Sequence, residues 1–131
     1  MAQIHHGSAH ADDPKRAAEN LAAIVGGTVA PFQPLPGGWA CLFDGSWNGA
    51  FLELYPKTHG ITANDEGPGF AELAAAPAGV GTHFNISVEK MRSEVEAICR
   101  ERGLRFSWRD WAGFLDIWID DSLLVEIVCK R

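Results

Sequence analysis

The chain has 131 residues, 47% of them hydrophobic and 21% charged, with a net charge of -6. This suits one folded domain with one core, and no apolar run approaches the ~18–20 residues of a membrane span. The acidic balance carries no offsetting Lys/Arg cluster and would repel a phosphate backbone, so nucleic acid is not expected as a partner, nor, without a long apolar run, is a membrane.

In chain order, residues 3–10 alternate as a strand, with His6, Ser8 and His10 on one face and Gly7, Ala9 and Ala11 interleaved. His5 falls on the opposite face, where packing or solvent is its expected role. "DDPKRAAENLAAIVGG" reads as a helix: Asp12 or Asp13 caps it, Pro14 suits its first turn, and Gly26-Gly27 ends it. Residues 28–32, 39–44 and 49–55 are strands, punctuated by Pro34, Pro36, Gly37-Gly38 and "DGSWNG". Residues 57–82, rich in Gly, Pro and Ala, read as a connector with one short helical turn at Phe70 to Ala75, and His59 within it as solvated. "THFNISV" is then a strand and "RSEVEAICRER" a helix stopped by Gly103, with strands to follow at 105–109, 113–119 and 122–129.

The order βαβββ therefore occurs twice. A shift of 77 residues carries His6 onto His83, Lys15 onto Arg92 and Gly26 onto Gly103, while Glu53 and Glu126 stand 73 apart. The difference of four is a loop-length change. The chain divides into module 1 (1–56), connector (57–82) and module 2 (83–131) of a single domain, an α+β fold in which two modules form a curved mixed sheet.

Each module thus offers a histidine on its first strand and a glutamate inside its last. In "AFLELYP" and "LLVEIVC" each carboxylate sits within an apolar run, where burial without a partner would cost several kcal/mol. Strand alternation offers an escape to solvent, with Glu53, Phe51 and Tyr55 on one face and Leu52 and Leu54 on the other. Four correlated positions point further, because two imidazoles and two carboxylates are a ligand set for one first-row divalent ion. His6, Glu53, His83 and Glu126 are the candidate metal ligands. Ser8 and Asn85 each follow a candidate histidine by two residues and, with His10, are the candidate substrate-binding residues. His10, four residues along the strand from His6, is too far to share its ion and would line the cavity mouth.

"IHHGSAHADDPKRA" with "AFLELYP", and "GTHFNISV" with "LLVEIV", resemble the paired βαβββ modules of the vicinal oxygen chelate superfamily, which includes glyoxalase I, methylmalonyl-CoA epimerase, extradiol dioxygenases and the fosfomycin and bleomycin resistance proteins. The resemblance spans nearly the whole chain. It implies a glyoxalase-like fold, metal ligands on the first and last strands of each module, and a His-Glu-His-Glu order similar to the glyoxalase I and epimerase pattern. The sequence departs from many members before the last ligand, with "IDDSLLVEI" in place of a "DPxGN"-like turn.

The resemblance further implies a metal-dependent lyase or isomerase acting on a small oxygenated substrate, with a divalent ion (Ni, Co, Zn, Mn or Fe) polarising a carbonyl and Glu126 as the general base. Two alternatives stand beside it: a drug- or metabolite-binding protein without chemistry, and a three-ligand non-haem iron dioxygenase. A homodimer is expected by the same resemblance.

Of the other residues, Trp39, Cys41 and Phe43 share a strand face and read as core or barrel lining, as do Trp108, Trp111 and Trp118 in module 2, with a ligand-cavity wall as the alternative for some of them. Cys41, Cys99 and Cys129 form no CxxC and read as reduced, mostly buried thiols of a cytoplasmic protein, with no export signal at the N-terminus. The glycine segments lack dinucleotide and Walker spacing, and no nucleophile elbow is present.

Overall fold

The structure is a computed structural model describing residues 2–63, 69–79 and 81–131. Its first unit runs β1 (His6–Ala11), α1 (Pro14–Val25), β2 (Thr28–Pro31), β3 (Trp39–Leu42) and β4 (Phe51–Pro56). A hairpin of β5 (His59–Thr62) and β6 (Gly69–Glu72) follows. The second unit is β7 (His83–Met91), α2 (Arg92–Arg102), β8 (Arg105–Arg109), β9 (Phe114–Asp120) and β10 (Leu123–Lys130).

The helices form where the caps are. Asp13 is the N-cap of α1, its Oδ1 accepting the Arg16 N–H at 3.1 Å, and Pro14 opens the first turn where no N–H is needed. Gly26 and Gly103 close the two helices at φ 84° and 68°, a left-handed conformation that favours glycine. These equivalent stops are 77 residues apart, as the repeat requires.

Each unit builds a four-stranded sheet, in the order β1-β4-β3-β2 and β7-β10-β9-β8. In both, the helix is the crossover that lets the first strand lie parallel to the last, while the remaining strands meander antiparallel. The register repeats as well. Ser8 pairs with Glu53 and Asn85 with Glu126, and the histidines two residues earlier pair with Phe51 and Leu124.

One face of each sheet is apolar and covered. Ala9, Ala11, Cys41, Leu52 and Leu54 from the first sheet join Leu21 and Ile24 of α1, Val95 and Cys99 of α2, and Leu115, Ile117, Val125 and Ile127 of the second sheet in one core. Burying each such large side chain stabilises the fold by about 1.5–3 kcal/mol. The opposite faces carry the histidines and glutamates, so a common interior turns both candidate faces away from it.

The connector differs from the sequence expectation. In place of the helical turn expected at Phe70 to Ala75, Phe70 to Glu72 lie in strand β6, where Phe70 pairs with Ile61 and packs its ring 5.3 Å from Tyr55 and 5.9 Å from Phe32, and residues 73–75 are neither helix nor strand. Aromatic packing over β4 overrides the helix propensity of the alanine run, a local preference that tertiary context readily outweighs. Residues 64–68 and 80 of the connector lie outside the described residues. Among the described residues, no helix is long and apolar enough to cross a membrane.

Candidate functional site

On the outward face of the first sheet, β1 contributes His6, Ser8 and His10, and β4 contributes Phe51, Glu53 and Tyr55. Glu53 is only 9% exposed, yet its Oε2 accepts a 2.5 Å hydrogen bond from the Tyr55 hydroxyl. That bond answers the cost of placing a carboxylate between Leu52 and Leu54. It also affects the phenol. Burial pushes the Tyr55 hydroxyl well above its ordinary pKa, the Glu53 carboxylate adds to the rise, and hydrogen bonding with Ser8 works against it.

His6 lies flat on Phe51, with ring centroids 4.5 Å apart and planes 5° from parallel, and Trp47 meets Phe51 edge-on at 5.0 Å. Its Nδ1 stands 3.0 Å from Nδ1 of His5, whose Nε2 is 3.1 Å from the Asn48 carbonyl oxygen. Sequence alternation had sent His5 to the other face. It lies before β1 begins, so strand alternation does not govern it. His10 Nε2 is 2.6 Å from the His59 carbonyl oxygen, which ties β1 to the β5–β6 hairpin and leaves His10 apart from His6.

The outward face of the second sheet repeats the plan with different neighbours. His83 Nε2 lies 3.8 Å from Glu126 Oε1, and Asn85 Nδ2 donates to the same oxygen at 3.2 Å. Among the described residues, no counterpart of Tyr55 covers this carboxylate. The His83 side chain is 55% exposed and that of Glu126 21%, so this pair opens to solvent where Glu53 does not. Asp116 pairs with Glu126 from β9, and its charge is balanced by an ion pair with Arg109. The two-residue β9–β10 turn, in place of the "DPxGN"-like sequence, delivers Glu126 in this register.

The four candidate ligands therefore fall into one set per module. Among the described residues, no three His, Cys, Asp or Glu side chains of one chain come close enough to hold a metal ion together. The donor chemistry still suits one. Two ligands each about 2.0–2.2 Å from an ion stand up to about 4 Å apart, which His83 and Glu126 satisfy, and a carboxylate orienting hydrogen bond such as Tyr55 to Glu53 is the usual outer partner of a ligating oxygen.

A cavity of about 300 Å³ opens beside His6 between the edges of β1 and β7. Phe43, Phe51, Phe84 and Ile86 are among its apolar lining, with Asn85 and Ser87 as polar groups, and its described lining carries no Lys, Arg, Asp or Glu. Close packing of Phe84 against Gly7 helps shape it: a Cβ at Gly7 would sit 3.1 Å from the Phe84 ring.

Tyr55 and Asp116 carry no functional signal in the sequence. Alternation places Tyr55 on the face of Glu53, but its hydroxyl bond is visible only in the structure, and Asp116 reaches Glu126 only through cross-strand pairing. The cysteines are as expected: Cys41 and Cys99 are buried and unpaired, and burial pushes their thiols up to about 12 and about 11.

No protein-family model and no curated protein matches the chain. Solved structures do. The fosfomycin resistance protein FosX from Listeria monocytogenes aligns with a TM-score of 0.64 at 9% identity, over 100% of this chain and 95% of that one. An integron cassette protein from V. cholerae aligns at 0.63 and 11% identity, covering 100% and 97%. Lactoylglutathione lyase from Agrobacterium tumefaciens aligns at 0.59 and 16% identity, covering 98% and 94%. With its repeated βαβββ units and matching strand registers, the chain has a glyoxalase-like fold.

Proposed function

We propose that the protein is a metal-dependent lyase or isomerase for a small oxygenated substrate, with a centre assembled from two copies of the chain. His6 and Glu53 of one copy complete His83 and Glu126 of the other. The observation that carries this reading is the doubled register, in which a histidine, a small polar residue and a cross-paired glutamate recur at equivalent places on outward faces. Because both helix-covered faces are spent on one core, a twofold dimer supplies each half-site with its complement.

A bound divalent cation supplies Lewis-acid polarisation of a substrate oxygen. The chain's own residues do the rest. Glu126, held by Asn85 and open to solvent, takes the proton from the carbon beside the substrate carbonyl. Glu53, oriented by Tyr55, serves as a fixed ligand. Ser8 and Asn85 offer hydrogen bonds to substrate oxygens, and His10 borders the hairpin side of the site. The uncharged, aromatic cavity beside His6 suits an apolar substituent on the substrate.

A second reading, binding without chemistry, draws support from the burial of Glu53 and the engagement of one of its oxygens by Tyr55. Element analysis of protein purified without chelator, beside His83→Ala, separates the two. About one nickel, cobalt, zinc or manganese ion per site, lost in the variant, supports the enzyme. A well-folded protein free of metal, and unable to take it up, supports sequestration; stoichiometric iron redirects the search to oxygenase activity.

A further inference from the structure

We infer that His5 is a positioning residue: it selects the tautomer of His6 and leaves His6 Nε2 as the bare nitrogen of that ring. The inference rests on the proposed function for its purpose, which is to hold His6 ready as an Nε2 ligand.

The hydrogen-bond chain leaves one assignment when both rings are neutral. The Asn48 carbonyl oxygen can only accept, so His5 Nε2, 3.1 Å away, carries the proton of that ring. His5 Nδ1 is then bare. It lies 3.0 Å from His6 Nδ1, so the hydrogen between them belongs to His6. With its single proton on Nδ1, His6 presents an unprotonated Nε2. In water a neutral histidine side chain favours the opposite tautomer, so the arrangement needs a partner to impose it. A carbonyl-anchored second shell does this for metal-binding histidines generally; here the anchor is relayed through a second imidazole.

The relay is built on fixed parts. The Asn48 carbonyl belongs to the "DGSWNG" turn, where Ser46 Oγ accepts the Asn48 N–H at 3.1 Å and Asp44 Oδ1 accepts the Ser46 N–H at 3.2 Å. His5 is edge-on to both His6 and Phe51, with planes 84° and 89° apart, while Phe51 supports the His6 ring from beneath. The His5 carbonyl accepts the Phe51 N–H at 3.4 Å, so the residue is held at both backbone and ring.

Imidazole ¹H–¹⁵N correlation spectra of the metal-free protein, at about pH 8 where neutral histidine dominates, test this directly. His5→Phe keeps a ring against His6 and Phe51 but removes both nitrogens; His5→Asn restores an acceptor near the Nδ1 position. The expected result is His6 protonated on Nδ1 in the parent and in His5→Asn, and mainly on Nε2 in His5→Phe, with backbone spectra otherwise preserved. Metal affinity of His5→Phe should fall about 10- to 100-fold. His6 protonated on Nε2 in the parent, or a tautomer indifferent to His5→Phe, overturns the inference. Because the spectra need no metal, failure here leaves the metal-centre reading standing, and a protein that never binds metal leaves the tautomer result intact.

Discussion

Tyr55→Phe isolates the bond on which the buried Glu53 depends. The substitution keeps the ring and its contacts with Phe32 at 5.7 Å and Phe70 at 5.3 Å, so no cavity opens and only the hydroxyl is lost. What remains is a carboxylate, 9% exposed, deprived of a 2.5 Å charge-assisted donor. Hydrogen bonds to charged groups contribute about 1.5–3 kcal/mol, and removing the phenol's own desolvation offsets part of this, so a loss of about 2 kcal/mol is expected. At a urea slope of about 1–3 kcal/mol/M, the unfolding midpoint falls by about 1 M. A cycle with Glu53→Gln should return a coupling of about 1–2 kcal/mol between the two side chains. The chain has a single tyrosine, so phenolate absorbance reports on Tyr55 alone. Its proton is held more tightly in the folded state, so it contributes stability below the unfolded value of about 10 that is lost as pH rises through the folded value. Glu53→Gln should lower that folded value. A Tyr55→Phe protein within about 0.5 kcal/mol of the parent, with no coupling to Glu53, refutes the reasoning.

Asp120 clasps the two units: its Oδ2 accepts the Asp12 N–H at 2.8 Å and its Oδ1 the Ser122 N–H at 2.8 Å. Asp120→Ala should cost about 1–2 kcal/mol by urea titration, whereas Asp121→Ala, whose partner Arg105 is solvent-exposed, should cost less than about 0.5. Asp12 is held below its usual pKa chiefly by the Ser122 hydroxyl, with Lys57 helping. Its contribution is therefore present above the unfolded value of about 4 and lost as pH falls through the folded value, so Asp12→Asn should destabilise at pH 7 and become neutral in acid. Cys41 and Cys99 should resist thiol reagents in the native protein and react once urea unfolds it.

Local signals made much of the fold legible. Asp13, Pro14 and Gly26 bound α1 because capping chemistry acts within a few residues, and the 77-residue shift onto Gly103 exposed the repeat. Alternation grouped His6, Ser8 and His10 on one face of β1 and Phe51, Glu53 and Tyr55 on one face of β4; that Ser8 lies opposite Glu53 and Asn85 opposite Glu126 is visible only in the cross-strand pairing. What escaped depends on distant partners. The β5–β6 hairpin takes its form from Tyr55 and Phe32, the hydroxyl of Tyr55 needs the three-dimensional setting of β4 to find Glu53, and His5 turns toward His6 because the Asn48 turn lies beside it. Nor does spacing tell which half-sites meet. The shared core, which turns both candidate faces outward, is a property of packing.

The central claim is most directly tested by mixing His6→Ala and His83→Ala chains, unfolding and refolding them together, and measuring bound metal per chain. Each variant alone should bind almost none. If centres form between copies, random pairing makes half the dimers mixed, each with one intact centre, and about one quarter of the parent's metal returns. A mixture that binds no more metal than either variant alone, while the parent binds a full complement, would contradict a centre shared between two chains.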